Sequence, residues 1–166
     1  MLFKKFFIII VIAVFSLNAF ANTPRSTGKY KNWESFIAET DEGKICFAQT
    51  VPTKRAPAAI KRNKSKLFVT FRPSENIKDE VSITSGHDYK SSTVTASSGK
   101  RKYSFFSQKS FAWLLDDQEE KGFIKLMKKA TNVIIKARTT NGAETTDHYS
   151  MMGFTKAYNT AKKTCG

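Results

Sequence analysis

His87 stands beside Asp88 and His148 beside Asp147, and these are the only histidines in the chain that could serve as a catalytic base. General-base chemistry requires a nucleophile, a base and an orienting acid within hydrogen-bond reach of one another. Neighbours along a strand point to opposite faces, so neither His-Asp pair is set up as a dyad by its position. Ser150 lacks the G-x-S-x-G context that would expose a nucleophile on a strained turn. No catalytic residue is assigned, and the chain reads as a non-enzyme. Two isolated histidines without a partner at i+2 or i+4 build no recognisable metal site, and nothing points to a cofactor. The acids Asp116, Asp117, Glu119 and Glu120 could hold calcium, but a helix start explains them more simply.

Positive charge is the stronger chemical signal. Lys54, Arg55, Lys61, Arg62, Lys64 and Lys66 follow one another with no acid between them, and Pro52 and Pro57 argue against a regular element there. The expectation is a long cationic loop able to hold phosphate or sulfate through several point charges, with Arg55 or Arg62 gripping bidentately. Lys100, Arg101 and Lys102 lead into Tyr103, Phe105 and Phe106, which could stack sugars or bases. Those aromatics also alternate as the core side of a strand would. No single-strand binding motif accompanies them, so nucleic acid is not expected as a partner. The competing reading is that the charge only keeps the protein soluble.

The elements that must carry these residues are β-rich. Runs at Trp33 to Ala38, Ile45 to Val51, Leu67 to Phe71, Val81 to Thr84, Thr93 to Ala96 and Tyr103 to Phe106 are bounded by turn residues. Leu67, Val69 and Phe71 fall on one face, with Lys66, Thr70 and Arg72 on the other, as a half-buried antiparallel strand requires. Asn141-Gly142 between Val133 to Thr139 and Thr145 to Tyr149 predicts a hairpin. Acids before Phe123, Leu126 and Met127, with Lys128 and Lys129 after them, match the polarity of a helix dipole. Phe154, Ala157, Tyr158 and Ala161 form the apolar stripe of a second helix. The expected fold is mainly β, an antiparallel sandwich or barrel-like domain with two short accessory helices.

Residues 1 to 21, MLFKKFFIIIVIAVFSLNAFA, have the lysines, apolar run and Ala19-Phe20-Ala21 ending of a cleavable export signal. Cleavage there leaves one domain, 22–166, with 22–29 (NTPRSTGK) expected as a flexible tail and no transmembrane segment remaining. That part carries 26 basic against 14 acidic residues, a formal charge of +12. Anionic partners follow: lipid head groups, lipopolysaccharide phosphates, acidic sugars. The only cysteines, Cys46 and Cys165, suit one structural disulfide in an oxidising compartment, the alternatives being two free thiols or a poor metal pair.

Several strings resemble the invasion-associated locus B family of exported proteobacterial proteins. They are Gly43-Lys44-Ile45-Cys46-Phe47-Ala48, Val69-Thr70-Phe71-Arg72-Pro73, Val81-Ser82-Ile83-Thr84-Ser85-Gly86, and the ending from Thr146-Asp147-His148-Tyr149-Ser150 through Ala157, with Ala112-Trp113 before the acidic helix. They occur in family order over nearly the whole of 22–166. The resemblance implies a periplasmic protein, surface-associated or secreted, linked by the family's name to bacterial entry into host cells. It also supports pairing of Cys46 with Cys165, and it implies no reaction. The function expected is binding of an anionic envelope or host-cell surface through the basic segments. The alternative is an accessory or structural protein supporting envelope integrity through contacts with other envelope proteins.

Overall fold

Alternation of buried and outward side chains carries most of this architecture. The computed structural model describes residues 23–165, so the expected export signal lies outside the described residues. Eleven strands form one antiparallel sheet around two helices. In chain order the strands are β1 (Arg25–Tyr30), β2 (Trp33–Thr40), β3 (Gly43–Thr50), β4 (Lys54–Ala56), β5 (Lys66–Arg72) and β6 (Ile77–Thr84). Then come β7 (Val94–Ser98), β8 (Arg101–Gln108), β9 (Phe111–Trp113), β10 (Asn132–Arg138) and β11 (Glu144–Ser150). Helix α1 (Asp117–Lys129) precedes β10, and α2 (Phe154–Cys165) follows β11.

Across the sheet the order is β1-β2-β3-β5-β6-β9-β8-β7-β10-β11-β4. Strand β8 belongs to both halves: Arg101 to Phe105 pair with β7, whereas Phe106 to Gln108 pair with β9. The inner faces of the two halves and both helices share one core, so the arrangement is the β-rich, sandwich-like one the alternation predicts. Trp33 lies 4.7 Å from Phe154 and donates its indole N–H to the Ser150 carbonyl at 2.9 Å. Phe123 of α1 meets Tyr103 and Phe105 edge-on at 5.0 and 5.7 Å. A disulfide joins Cys46 of β3 to Cys165 at the end of α2, closing a separation of 119 residues. Asp116 caps α1, accepting from the Gln118 and Glu119 amides at 2.7 and 3.1 Å, which is the helix-start role expected of that acidic run.

Three strands were not expected, and each depends on a neighbour rather than on its own pattern. Arg25–Tyr30 corrects the flexible-tail reading of 22–29: this polar segment pairs with β2, and the Tyr30 hydroxyl reaches Thr160 Oγ1 at 2.9 Å. Lys54–Ala56 corrects the structureless-loop reading of 54–66 by pairing with β11. Short β9 bridges β6 and β8 through Trp113. Phe106 was expected in the core with Tyr103 and Phe105, but strand parity turns it outward, 52% exposed.

A candidate anion-binding face

The outer face of the half made by β8, β7, β10, β11 and β4 gathers cations from both predicted basic segments. Register places Lys102 opposite Ser97, Ser97 opposite Ile134, Ile134 opposite His148, and His148 opposite Lys54. Directly opposed residues of antiparallel strands share a face, so these five form one row across five strands. Four interstrand steps of about 4.8 Å put the two lysines about 19 Å apart. The next row on the same face runs Ser104, Thr95, Lys136, Thr146 and Ala56. Arg138 follows Lys136, and the one acid of that neighbourhood, Glu144, lies 3.7 Å from Lys136 and 3.8 Å from Arg138. The result is an extended basic face with hydroxyls between the charges.

Inward-pointing chemistry holds the edge of that face in place. Asp147 is 1% exposed and receives both guanidinium ends of Arg62, at 2.7 and 2.5 Å, with the Arg62 side chain 2% exposed. Arg62 also donates to the Ser85 carbonyl at 2.9 Å and to Ser65 Oγ at 3.1 Å. A buried charge is tolerated only when paired and hydrogen-bonded, and here each charged group is. Arg55 gives a second tie, donating to the Asn63 carbonyl at 2.5 Å, with its Nε 3.9 Å from Asp147. The Asn63 amide donates to the Gly86 carbonyl, and Gly86 at φ +75° lies so close to the Asn63 backbone that a Cβ would collide with it. The segment after β4 is therefore stapled across the sheet, with Lys54 left on the outer side.

Around the ion pair, burial pushes the Tyr89 hydroxyl up to about 12, against the lowering effect of its bond to Ser85, and burial likewise raises Tyr149 well above its usual value. Both stay protonated. His87 directs Nε2 to Thr145 Oγ1 and Nδ1 to the Asp88 carbonyl, both at 2.9 Å, and Thr145 is buried. His148 points outward on the basic face while Asp147 points inward, the opposition that strand parity predicts.

The structure thus sorts the nine anion-binding candidates. Lys54 and Lys102 share the face, with Lys100 and Arg101 exposed at the adjoining β7–β8 hairpin. Lys61 and Lys64 are exposed on the stapled segment beyond β4. Arg62 is corrected: it is consumed by Asp147 and cannot grip an external anion, and Arg55 is half-withdrawn toward the same carboxylate. Lys66 lies on the other half of the sheet, donating to Gln49 at 3.2 Å with its ammonium 5.7 Å from the Phe68 ring centroid. Lys136, Arg138 and His148 were missed as members of the face. They are scattered in sequence, and the signal that could have found them was alternation within the Asn141-Gly142 hairpin. No protein family, curated protein or solved structure matches the chain.

Proposed function

We propose that this is an exported, non-enzymatic protein that binds an anionic envelope or host-cell surface through the outer face of β8, β7, β10, β11 and β4. The observation carrying this reading is the row from Lys102 through His148 to Lys54, with Lys136 beside it, which unites two segments remote in sequence. Cations spread across five strands suit an extended anionic surface better than a single small anion, which would need convergent donors. The export leader, the disulfide and the resemblance to the invasion-associated locus B family support a periplasmic or surface-associated setting.

Cosedimentation of the oxidised protein with vesicles bearing anionic lipid or lipopolysaccharide, against neutral vesicles over a salt series, tests the reading. Selective binding that weakens with salt is expected. Each lysine near an anionic membrane contributes about 1 kcal/mol, so Lys54→Gln with Lys102→Gln should weaken binding roughly thirtyfold. Salt-insensitive binding, or none, would sink the proposal. A second reading, an accessory protein acting through protein contacts, is favoured by the aromatic rings on the other half of the sheet.

A further inference from the structure

The outer face of β2, β3, β5, β6 and β9 carries aromatic rings where the other half carries lysines. Phe36 opposes Phe47, with their rings stacked at 5.2 Å, and Phe47 meets Phe68 edge-on at 6.2 Å. Phe68 opposes Ser82, Ser82 opposes Trp113, and Trp113 opposes Phe106. Phe111 stacks on Trp113 at 6.0 Å and is itself 41% exposed. A shallow trough of about 330 Å³ runs between Ile45, Phe47, Phe68, Phe111 and Trp113. An outward aromatic array of this kind leaves apolar area in water that a partner could cover.

Trp113 and Glu80 also line a second, larger groove of about 660 Å³, so the two hollows adjoin. Its origin is the shortness of β9. That strand pairs with β6 only at Ser82 and Ile83, leaving the same edge of β6 before Val81 without a ladder partner among the described residues. Helix α1 closes part of the gap by offering Glu120, whose Oε1 accepts the Val81 amide at 3.0 Å. Phe106 and Leu115, 52% and 75% exposed, stand at the groove.

The charge here is opposite to that of the molecule. Of the acids lining the groove, Asp79 accepts from the Tyr158 hydroxyl at 2.6 Å, and Glu80 is held by Arg72 at 2.8 Å. Asp117 and Glu120 have no cationic partner within salt-bridge distance among the described residues, and Glu120 is only 8% exposed. Lys78 and Lys121 also line the groove. Burial, with Glu80, Asp117 and Asp79 nearby, pushes the Glu120 carboxyl up to about 7 against the lowering effect of the Val81 amide. A buried carboxylate lacking a counter-charge, beside open aromatic rings, selects a cation on an apolar stem.

We infer that the trough and groove together receive an extended segment of a partner protein that places apolar side chains over Phe47, Phe68 and Trp113 and a lysine or arginine between Asp117 and Glu120. The inference rests on the second reading above, protein contacts, and not on anion binding. An anionic lipid or polysaccharide would be repelled by those two carboxylates, which is why a cationic peptide is the occupant chosen.

The test uses a labelled ten-residue peptide alternating leucine and arginine, with leucine–glutamate and leucine–serine peptides as controls, against the full oxidised protein. Trp33 is wholly buried and Trp113 is not, so a change in tryptophan emission reports Trp113. Saturable binding of the leucine–arginine peptide alone, with a change in emission, is expected. Glu120→Gln keeps an acceptor for the Val81 amide while removing the charge, and Asp117→Asn does the same at the rim. Together they should weaken binding about tenfold or more, as loss of a close interfacial charge pair does. Phe106→Ser with Leu115→Ser should weaken it by a similar factor without unfolding, both side chains being exposed. Equal affinity for the three peptides, or indifference to both pairs of variants, would overturn the inference. So would a concentration-dependent dimer in sedimentation that Phe106→Ser abolishes, since the occupant would then be a second copy. Failure here leaves the vesicle result untouched, and failure of the vesicle assay leaves this one.

Discussion

The two outer faces of the sheet obey the same two-residue alternation and turn opposite chemistry to solvent. The face of β8, β7, β10, β11 and β4 presents Lys102, Lys136, His148 and Lys54 among hydroxyls, whereas the face of β2, β3, β5, β6 and β9 presents Phe36, Phe47, Phe68, Phe111 and Trp113. Their supports differ as well. The edge of the basic face is held by a buried ion pair, and the aromatic face is backed by α2, the disulfide and the Trp33–Phe154 contact. A basic face can be made of short edge segments because charges act at a distance, while aromatic contact needs a rigid platform. Disturbing one support should therefore leave the other face intact.

The largest separation of the two should come from Arg62→Ala. Asp147 would remain as an unpaired buried charge, at a cost of about 3–5 kcal/mol. Urea unfolding would measure the loss. Amide exchange should speed up in Lys54–Ala56 and Glu144–Ser150 before it does in β2 and β3, and uniform acceleration across the sheet would break the comparison. Replacing Cys46 and Cys165 by alanine should act on the other half. The loop-entropy model puts the loss at up to about 4.7 kcal/mol for a loop near this length, with about 2–4 typical of real proteins. The end of α2 should loosen against β3, and vesicle binding at fixed temperature should persist.

A smaller effect concerns Glu120. Its carboxyl titrates near 7 when folded against 4.5 when unfolded, so between those values the folded state binds the extra proton. The stabilisation present below pH 4.5 is accordingly lost as pH rises to about 7. Glu120→Gln should flatten that fall, amounting to about 1–2 kcal/mol once the opening of the site to solvent is allowed for. Unfolding free energies at pH 5 and pH 8 for both proteins would check it, and parallel lines would refute the buried-carboxylate reading. Smallest of all, Phe106→Ser should change stability by no more than about 0.5 kcal/mol, since its ring is mostly in solvent, while still weakening the peptide.

The alternation in β5, the Asn141-Gly142 hairpin and both amphipathic helices were legible because each is a local pattern read within a dozen residues. Parity within β11 separated Asp147 from His148 in the same way. What escaped was relational. Polar β1 is a strand only because β2 offers an edge, and Lys54–Ala56 because β11 does. Arg62 looked like its exposed neighbours in a basic run, and only its partner 85 residues away shows it to be internal. Glu120 looked like one more first-turn acid, yet the early end of β9 makes it the acceptor for a strand edge.

The sequence by itself determined the β-rich class, the placement of the two helices, the excess of positive charge and the single cysteine pair, since these depend on composition and short-range periodicity. Tertiary structure alone decided which cations share a face, which arginine is withdrawn into the core, and where an uncompensated carboxylate meets open aromatic rings. Those outcomes depend on strand order, and strand order follows from long-range pairing free energies that no local window contains.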